Sequence, residues 1–436
     1  MTTHFTDQFR AFSSNGGGEG PAWLPALRKA AFDRFHAIGF PTTRDEDWHF
    51  TSVTPIAERT FKAAKPSATV LTLSEIKPYL VDESWHRLVF VNGRFEPTLS
   101  NFAGLPAEVH VSTLSEALKA ESEWVQKHLG ALAAFDRAAF TALNTAFVQD
   151  GVVIRVPKGV QVEEPLHLLH LTDALAAGTA VHPRLLVVAE ALSQLTLVES
   201  YTGIGTPSYF VNAVAEVTLG SGARVDHYKV QRESPEAFHV GTVQVSQGRD
   251  AAYHSFSFAA GAQLSRTNVY TKLVGAGGEA RLNGLYILDG TQHADHQTFV
   301  EHLAESCASR ELYKGILDGA SHGVFNGKVY VDPIAQKTDG KQTNKALLLS
   351  DKARVDTKPQ LEIFADDVKC THGATIGKLD DQALFYLKSR GIGADNARSL
   401  LTYAFAAEVL ETIEVDALRL ELERAVFERF THLRLE

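Results

Sequence analysis

Between about Phe147 and Ile376 the chain repeats one texture. Short alternating apolar runs are broken by small polar or glycine turns, and no helical crossover intervenes. Val152-Val153-Ile154-Arg155-Val156 and Leu185-Leu186-Val187-Val188 are such runs. The run-turn-run unit recurs at Val217–Val225, Leu273–Ala280, Ile316–Val324 and Leu348–Val355. Its spacing is irregular, about 25 to 45 residues, within the range of solenoids and propellers. Parallel strands of βαβ type need a crossover helix, and none is present. Stacked coils of a β-solenoid need none, because each coil pairs with the next. The expected architecture is therefore a parallel β-helix, with a sandwich or barrel as the competing reading.

The flanks differ. Trp23, Leu27, Ala31, Phe35 and Ile38 recur at helical spacing before Gly39 and Pro41. Ahead of them the tract from Ser13 to Gly20 reads as a flexible joint. A strand at Arg87–Val91 ends in the turn pair Asn92-Gly93. Helical patterns follow at Leu114–Ala120 and Trp124–Phe140. After Ile376, Asp380 is placed to cap a helix carrying Ala383, Leu384 and Leu387 and ending at Gly391. Asp395 is expected to cap a second helix with Leu400, Leu401, Ala404 and Phe405. A third carries Val415, Leu418, Leu422 and Val426, with Leu420 and Phe427 on another face. Helices apolar on two sides usually touch two things. The expected division is a mostly helical region 1–146, a β-helix core 147–378 and a helical region 379–436.

Composition excludes several function classes. Of 436 residues, 42 are Lys or Arg and 52 Asp or Glu, a net charge of −10, which argues against a broad basic face for nucleic acid or anionic lipid. Two cysteines, Cys307 and Cys370, cannot form a secreted disulfide framework or hold a four-cysteine metal site. The N-terminus lacks a basic region followed by an apolar core, and no apolar run reaches the ~18 residues of a membrane span. A soluble, cytoplasmic protein is expected.

Nucleotide and hydrolase motifs fail on context. Gly323–Val329 has the wrong spacing for a P-loop and no hydroxyl after Lys328. Gly203-x-Gly205 and Gly391-x-Gly393 lack a third glycine. Gly319-Ala320-Ser321-His322-Gly323 matches a nucleophile-elbow string, but a strand rather than a helix follows. A serine hydrolase using Ser321 is thus a minor alternative. His293, His296, His302 and Cys307 have metal-ligand chemistry. His293 and His296 are three apart, which on a strand places them on opposite faces, so histidines and a small buried thiol within a β-coil are the favoured reading. His167 and His170 lie in an apolar run and read as structural. The strongest local constellation is Cys370-Thr371-His372. Cys370 and His372, two apart on a strand, share a face and offer a soft sulfur beside an imidazole, a pair that iron and sulfide chemistry would use, although taken alone a packed cysteine beside a hydrogen-bonded histidine is the favoured reading.

That pair sits within a longer pattern. Ala335–Gly340, Asn344-x-x-Leu347-Leu348-Leu349-Ser350, Leu361-Glu362-Ile363-x-Ala365-Asp366-Asp367-Val368-x-Cys370-x-His372-Gly373-Ala374-Thr375 and Phe385-Tyr386-Leu387-x-Ser389-Arg390-Gly391-Ile392 resemble the SufB/SufD family of the SUF iron–sulfur cluster assembly machinery. The match is dense from about Gly290 to Glu408, and Asp47-Trp48-x-Phe50-Thr51 resembles the family's entry motif. The scaffold branch typically reads Cys-x-His-Glu-Ala, whereas this chain has Gly373 and a small helical N-terminal region, which points to the other branch. The resemblance implies a mainly β fold, a right-handed parallel β-helix flanked by helical regions. It implies a subunit without catalytic residues of its own, paired through the β-helix with a SufB-like scaffold. The C-terminal helices would dock a SufC-like ATPase that hydrolyses ATP. His372 and Cys370 become candidate contacts to a transient iron–sulfur cluster shared with SufB. No nucleotide is expected on this chain, and the sequence gives no indication for or against a flavin. A purely structural adaptor is the alternative.

Overall fold

A computed structural model describes residues 3–14, 20–63 and 71–430. Most strands alternate between two long sheets as the chain advances. In chain order they are β1 (His86–Val91), β2 (Gly151–Val156), β3 (Leu166–Thr172), β4 (Arg184–Ala189), β5 (Gln194–Gly203) and β6 (Phe210–Leu219). There follow β7 (Arg224–Arg232), β8 (Phe238–Gln247), β9 (Ala252–Ala259), β10 (Leu264–Leu273), β11 (Glu279–Leu288) and β12 (His293–His302). The last are β13 (Ala308–Leu317), β14 (His322–Val331), β15 (Asp339–Leu348), β16 (Arg354–Ile363) and β17 (Lys369–Gly377). Odd strands pair in sequence within one sheet and even strands within the other, all parallel. This is the parallel β-helix the turn-strand repeat predicts.

Period-two alternation makes the stack possible. One inward column of the even sheet runs Ile154, Val187, Val217, Val245, Thr271, Val300, Val329 and Leu361 in unbroken register. β-branched side chains suit such a half-buried pleat, and nearly all of these belong to one buried cluster filling the bore. Corners repeat too. Gly159, Leu192, Gly222, Asp250, Gly277, Ser306 and Lys337 all have φ between 53° and 76°. Each donates its N–H to a carbonyl of the next coil's corner, ending with Lys337 on Asp367 at 2.6 Å. Glycine is required at Gly319, with φ 60°, where a Cβ would meet the Gly290 backbone nitrogen at 2.7 Å.

The two ends differ. At the N-terminal end, Arg94–Phe95 pairs antiparallel with β1, and His110–Thr113 antiparallel with β2. At the other, no strand among the described residues pairs the outer edges of β16 and β17.

Helices cover the outer faces. In the N-terminal region α1 (Thr3–Ser14), α2 (Trp23–Ile38) and α3 (Ala139–Ala146) are the longest. Phe5, Phe35 and Phe140 pack with Phe210 and Phe238 of the even sheet. Beneath α3, Arg184 and Glu216 form a fully buried ion pair at 2.5 Å. Asn144 accepts from Arg184, and Glu216 accepts from the N–H groups of Gly130, Leu132 and Ala133. At the other end of the chain lie α4 (Asp381–Ser389), α5 (Ala394–Leu410) and α6 (Asp416–Phe430). Ala406, Val409, Leu410, Leu418, Leu422 and Val426 pack on Tyr228, Phe256, Leu285 and Ile316 of the odd sheet's outer face.

Three local readings need correction. Ser13 and Ser14 end α1 rather than belonging to a joint, and Asn15–Glu19 lie outside the described residues. Trp124–Phe140 is not one helix: Ser122–His128 is helical, and the chain then turns with Gly130 at φ 80°. Glu216 captures the N–H groups of Leu132 and Ala133 that a continuing helix would use. Asp395 sits within the first turn of α5, whose N-cap is Gly393, while Asp380 does cap α4 by accepting from Gln382 and Ala383. No described helix is long and apolar enough to cross a membrane.

Candidate functional site

The Cys370–His372 pair lies on β17, the last strand of the odd sheet. The residues before it build the corner that presents it. Lys337 takes the left-handed conformation, Thr338 donates its hydroxyl to the Ala335 carbonyl, and Gln336 Oε1 accepts from Asp367 N–H at 2.9 Å. The Ala335–Gly340 and Asp366-Asp367 motifs are thus two halves of one corner. On β15, Gly340, Gln342 and Asn344 point into the bore and are buried. Cys370, His372 and Ala374 stand in register over them.

The pair divides along its strand. Cys370 is half-buried, packed against the bore cluster beside Gly340. Burial pushes its thiol up, and nearby Asp339 adds to the rise, offset in part by the Gly340 backbone hydrogen bond. It is therefore a protonated, unreactive thiol until a metal or positive charge approaches. His372 faces the same way, on the order of 7 Å further along the strand, but is exposed because no coil among the described residues lies above it. Ile363, Phe364 and Ile376 are likewise exposed around this end.

The other candidates lie elsewhere. Ser321 donates its hydroxyl to the Asp318 carbonyl in the turn before β14, and no side chain accepts from it among the described hydrogen bonds. His293 faces outward to Thr51, at 2.9 Å, while His296 is buried between Tyr286 and Tyr313. His302 pairs with Ser309 and His167 with Ser200, and His170 stacks between Phe90 and Tyr201. Cys307 is buried, its sulfur 3.3 Å from the Gly275 carbonyl.

The entry motif has a partner that local sequence did not reveal. Trp48 lies against the Arg266 guanidinium, 3.6 Å from ring centroid to carbon. Arg266 donates to the Asp47 carbonyl and to Asp295 at 2.6 Å, and the Thr51 hydroxyl donates to the same carboxylate at 2.6 Å. The segment is a clamp that ties the N-terminal region to β10 and β12.

These features define a class: a β-helix capped at one end, open at the other, and presenting a thiol and an imidazole on its last strand. Two family models match the sequence, the SufBD protein N-terminal region over residues 2–168 and the SufBD core domain of SUF-system FeS cluster assembly over 170–405. The chain belongs to the SufBD family of iron–sulfur cluster assembly proteins. It is 37% identical to an iron–sulfur cluster assembly SufBD family protein of Synechocystis sp., over 92% of this chain and 89% of that one. It is 33% identical to the iron–sulfur cluster assembly protein SufD of Escherichia coli, over 90% and 89% of the two chains. It is 29% identical to SufD of Bacillus subtilis, over 92% and 93%.

Proposed function

We propose that this chain is a SufD-like subunit that pairs through its open β-helix end with a SufB-like scaffold and contributes His372 to a shared cluster-building site. The observation that carries the reading is the open pair of edges at β16 and β17, with His372 exposed on the second. Unpaired parallel edges have backbone donors and acceptors ready for a second solenoid, and two cysteines could not hold a cluster unaided. An imidazole there can coordinate iron when neutral or relay a proton when charged. Cys370 supports the site, becoming a ligand only once metal lowers its pKa.

In this reading the chain works in the cytoplasm as three regions, 1–146, 147–378 and 379–436, the last docking a SufC-like ATPase. Phe385 and Tyr386 of α4 are 73% and 57% exposed, a face the solenoid does not use. ATP hydrolysis belongs to that partner, and the cluster is a transient cargo. The test is co-expression with SufB-like and SufC-like partners, then iron and sulfide analysis of the purified complex. A stable complex that assembles cluster supports the reading. A complex that forms without this chain, with equal cluster content, contradicts it.

A further inference from the structure

Far from the open end, the odd sheet's outer face carries a second group of metal-ligating side chains. Asp226 on β7 and His254 on β9 are in register on neighbouring strands, and Glu414 reaches them from the turn between α5 and α6. One donor atom from each lies within 4.8 Å of the others. His254 Nδ1 is 3.0 Å from Asp226 Oδ1 and 3.9 Å from Glu414 Oε1. Two ligands bound at about 2.0–2.2 Å to one ion stand roughly 3 to 3.6 Å apart, so a small movement of Glu414 would complete the set.

The far side of the imidazole supplies an independent observation. His254 Nε2 is buried with no hydrogen-bond partner, and Glu279 Oε1 lies 3.7 Å from it. A carboxylate in that place is the usual outer partner of a histidine that binds metal through its other nitrogen. Two arginines pair with the carboxylates but are outnumbered by them. Arg224 holds both oxygens of Asp226, Oδ2 at 2.9 Å and Oδ1 at 3.1 Å, and also bonds Glu414, while Arg281 pairs with Glu279 and lies 3.6 Å from Glu414 Oε1, so a metal would displace these contacts from the donor oxygens. Three carboxylates against two guanidinium groups leave one negative charge when His254 is neutral.

We propose that Asp226, His254 and Glu414 form a divalent transition-metal site that staples the α5–α6 turn to the solenoid. One imidazole with two carboxylates suits zinc, iron(II) or manganese better than calcium or magnesium, which prefer oxygen alone. The turn is already seated, since Tyr228 accepts from the Glu414 N–H at 3.2 Å. Metal would therefore tighten an existing contact and restrain the helices beyond it. This proposal is independent of the role given to His372.

The test uses the full chain with His372→Ala and Cys370→Ser, so that the last coil contributes no ligand. Zinc and cobalt(II) are titrated by calorimetry, and hydrogen exchange is followed across residues 411–416. One equivalent should bind, and those amides should exchange more slowly with zinc. His254→Ala should weaken binding by about tenfold or more. Glu414→Gln, in an exposed turn where folding is not at stake, should also weaken it. Undiminished affinity in both variants, or no binding to the parent chain at about 1 mM metal, would overturn the proposal.

Discussion

His372 stands one strand beyond Gln342 in the same inward column, and the two differ in what covers them. Gln342 is 2% exposed and donates to Glu311 at 3.2 Å, whereas His372 is exposed. The column ends on an imidazole where the solenoid ends, so a group that would be interior one coil earlier is open to a partner.

An interface at this end should be sensitive to charge. Phe364 and Ile376 are 59% and 47% exposed and lend apolar area to the open edges. Phe364→Asp combined with Ile376→Lys should reduce co-purification with a SufB-like subunit by about tenfold or more. Circular dichroism should not change, because neither side chain is buried. Unchanged co-purification would remove the edge from the interface.

Recruitment of the ATPase should depend on the exposed face of α4, not on the buried faces of α5 and α6. Phe385→Ala with Tyr386→Ala should abolish SufC-like binding in a pull-down while leaving thermal stability within about 1 kcal/mol. Deleting all three helices is a poorer test, since it would uncover Tyr228, Phe256, Leu285 and Ile316.

Stability should rise with pH up to about 6.5. Burial lowers the pKa of His167 and His182 to about 3, and that of His170, His293, His296 and His302 to about 4. Below 6.5 the unfolded chain takes up protons that these six folded imidazoles refuse, so stability falls as pH falls. Glu311 acts oppositely. Burial raises its pKa to about 7, offset in part by hydrogen bonds from Thr298 and Gln342. Its contribution is present below the unfolded carboxyl pKa and is lost as pH rises to about 7. Urea unfolding of Glu311→Gln against the parent should show the variant gaining on the order of 2–3 kcal/mol between pH 4.5 and pH 8. A difference that does not vary with pH would contradict this.

The solenoid was legible because two local signals coincide, alternation along each strand and a turn residue at each corner. Asp380 and the apolar stripe of α6 were legible for the same reason: capping and helical spacing act within a few residues. What failed was decided from afar. The break near Gly130 depends on Glu216, more than 80 residues on, and the clamp joins Trp48 of the N-terminal region to Arg266 on the even sheet. Cys370 and His372 could be placed on one face from their spacing. Their unequal exposure could not, because it depends on the solenoid ending there.

His372 is the residue through which this chain would reach the cluster. The most direct measurement is iron and sulfide content of the complex purified with His372→Ala in place of the parent chain. An intact complex is expected, since losing one imidazole rarely dissociates a large interface, with cluster content well below that of the parent and of Ser321→Ala or His167→Ala controls. Parental iron and sulfide in an intact His372→Ala complex would contradict that role and leave the chain as a structural adaptor.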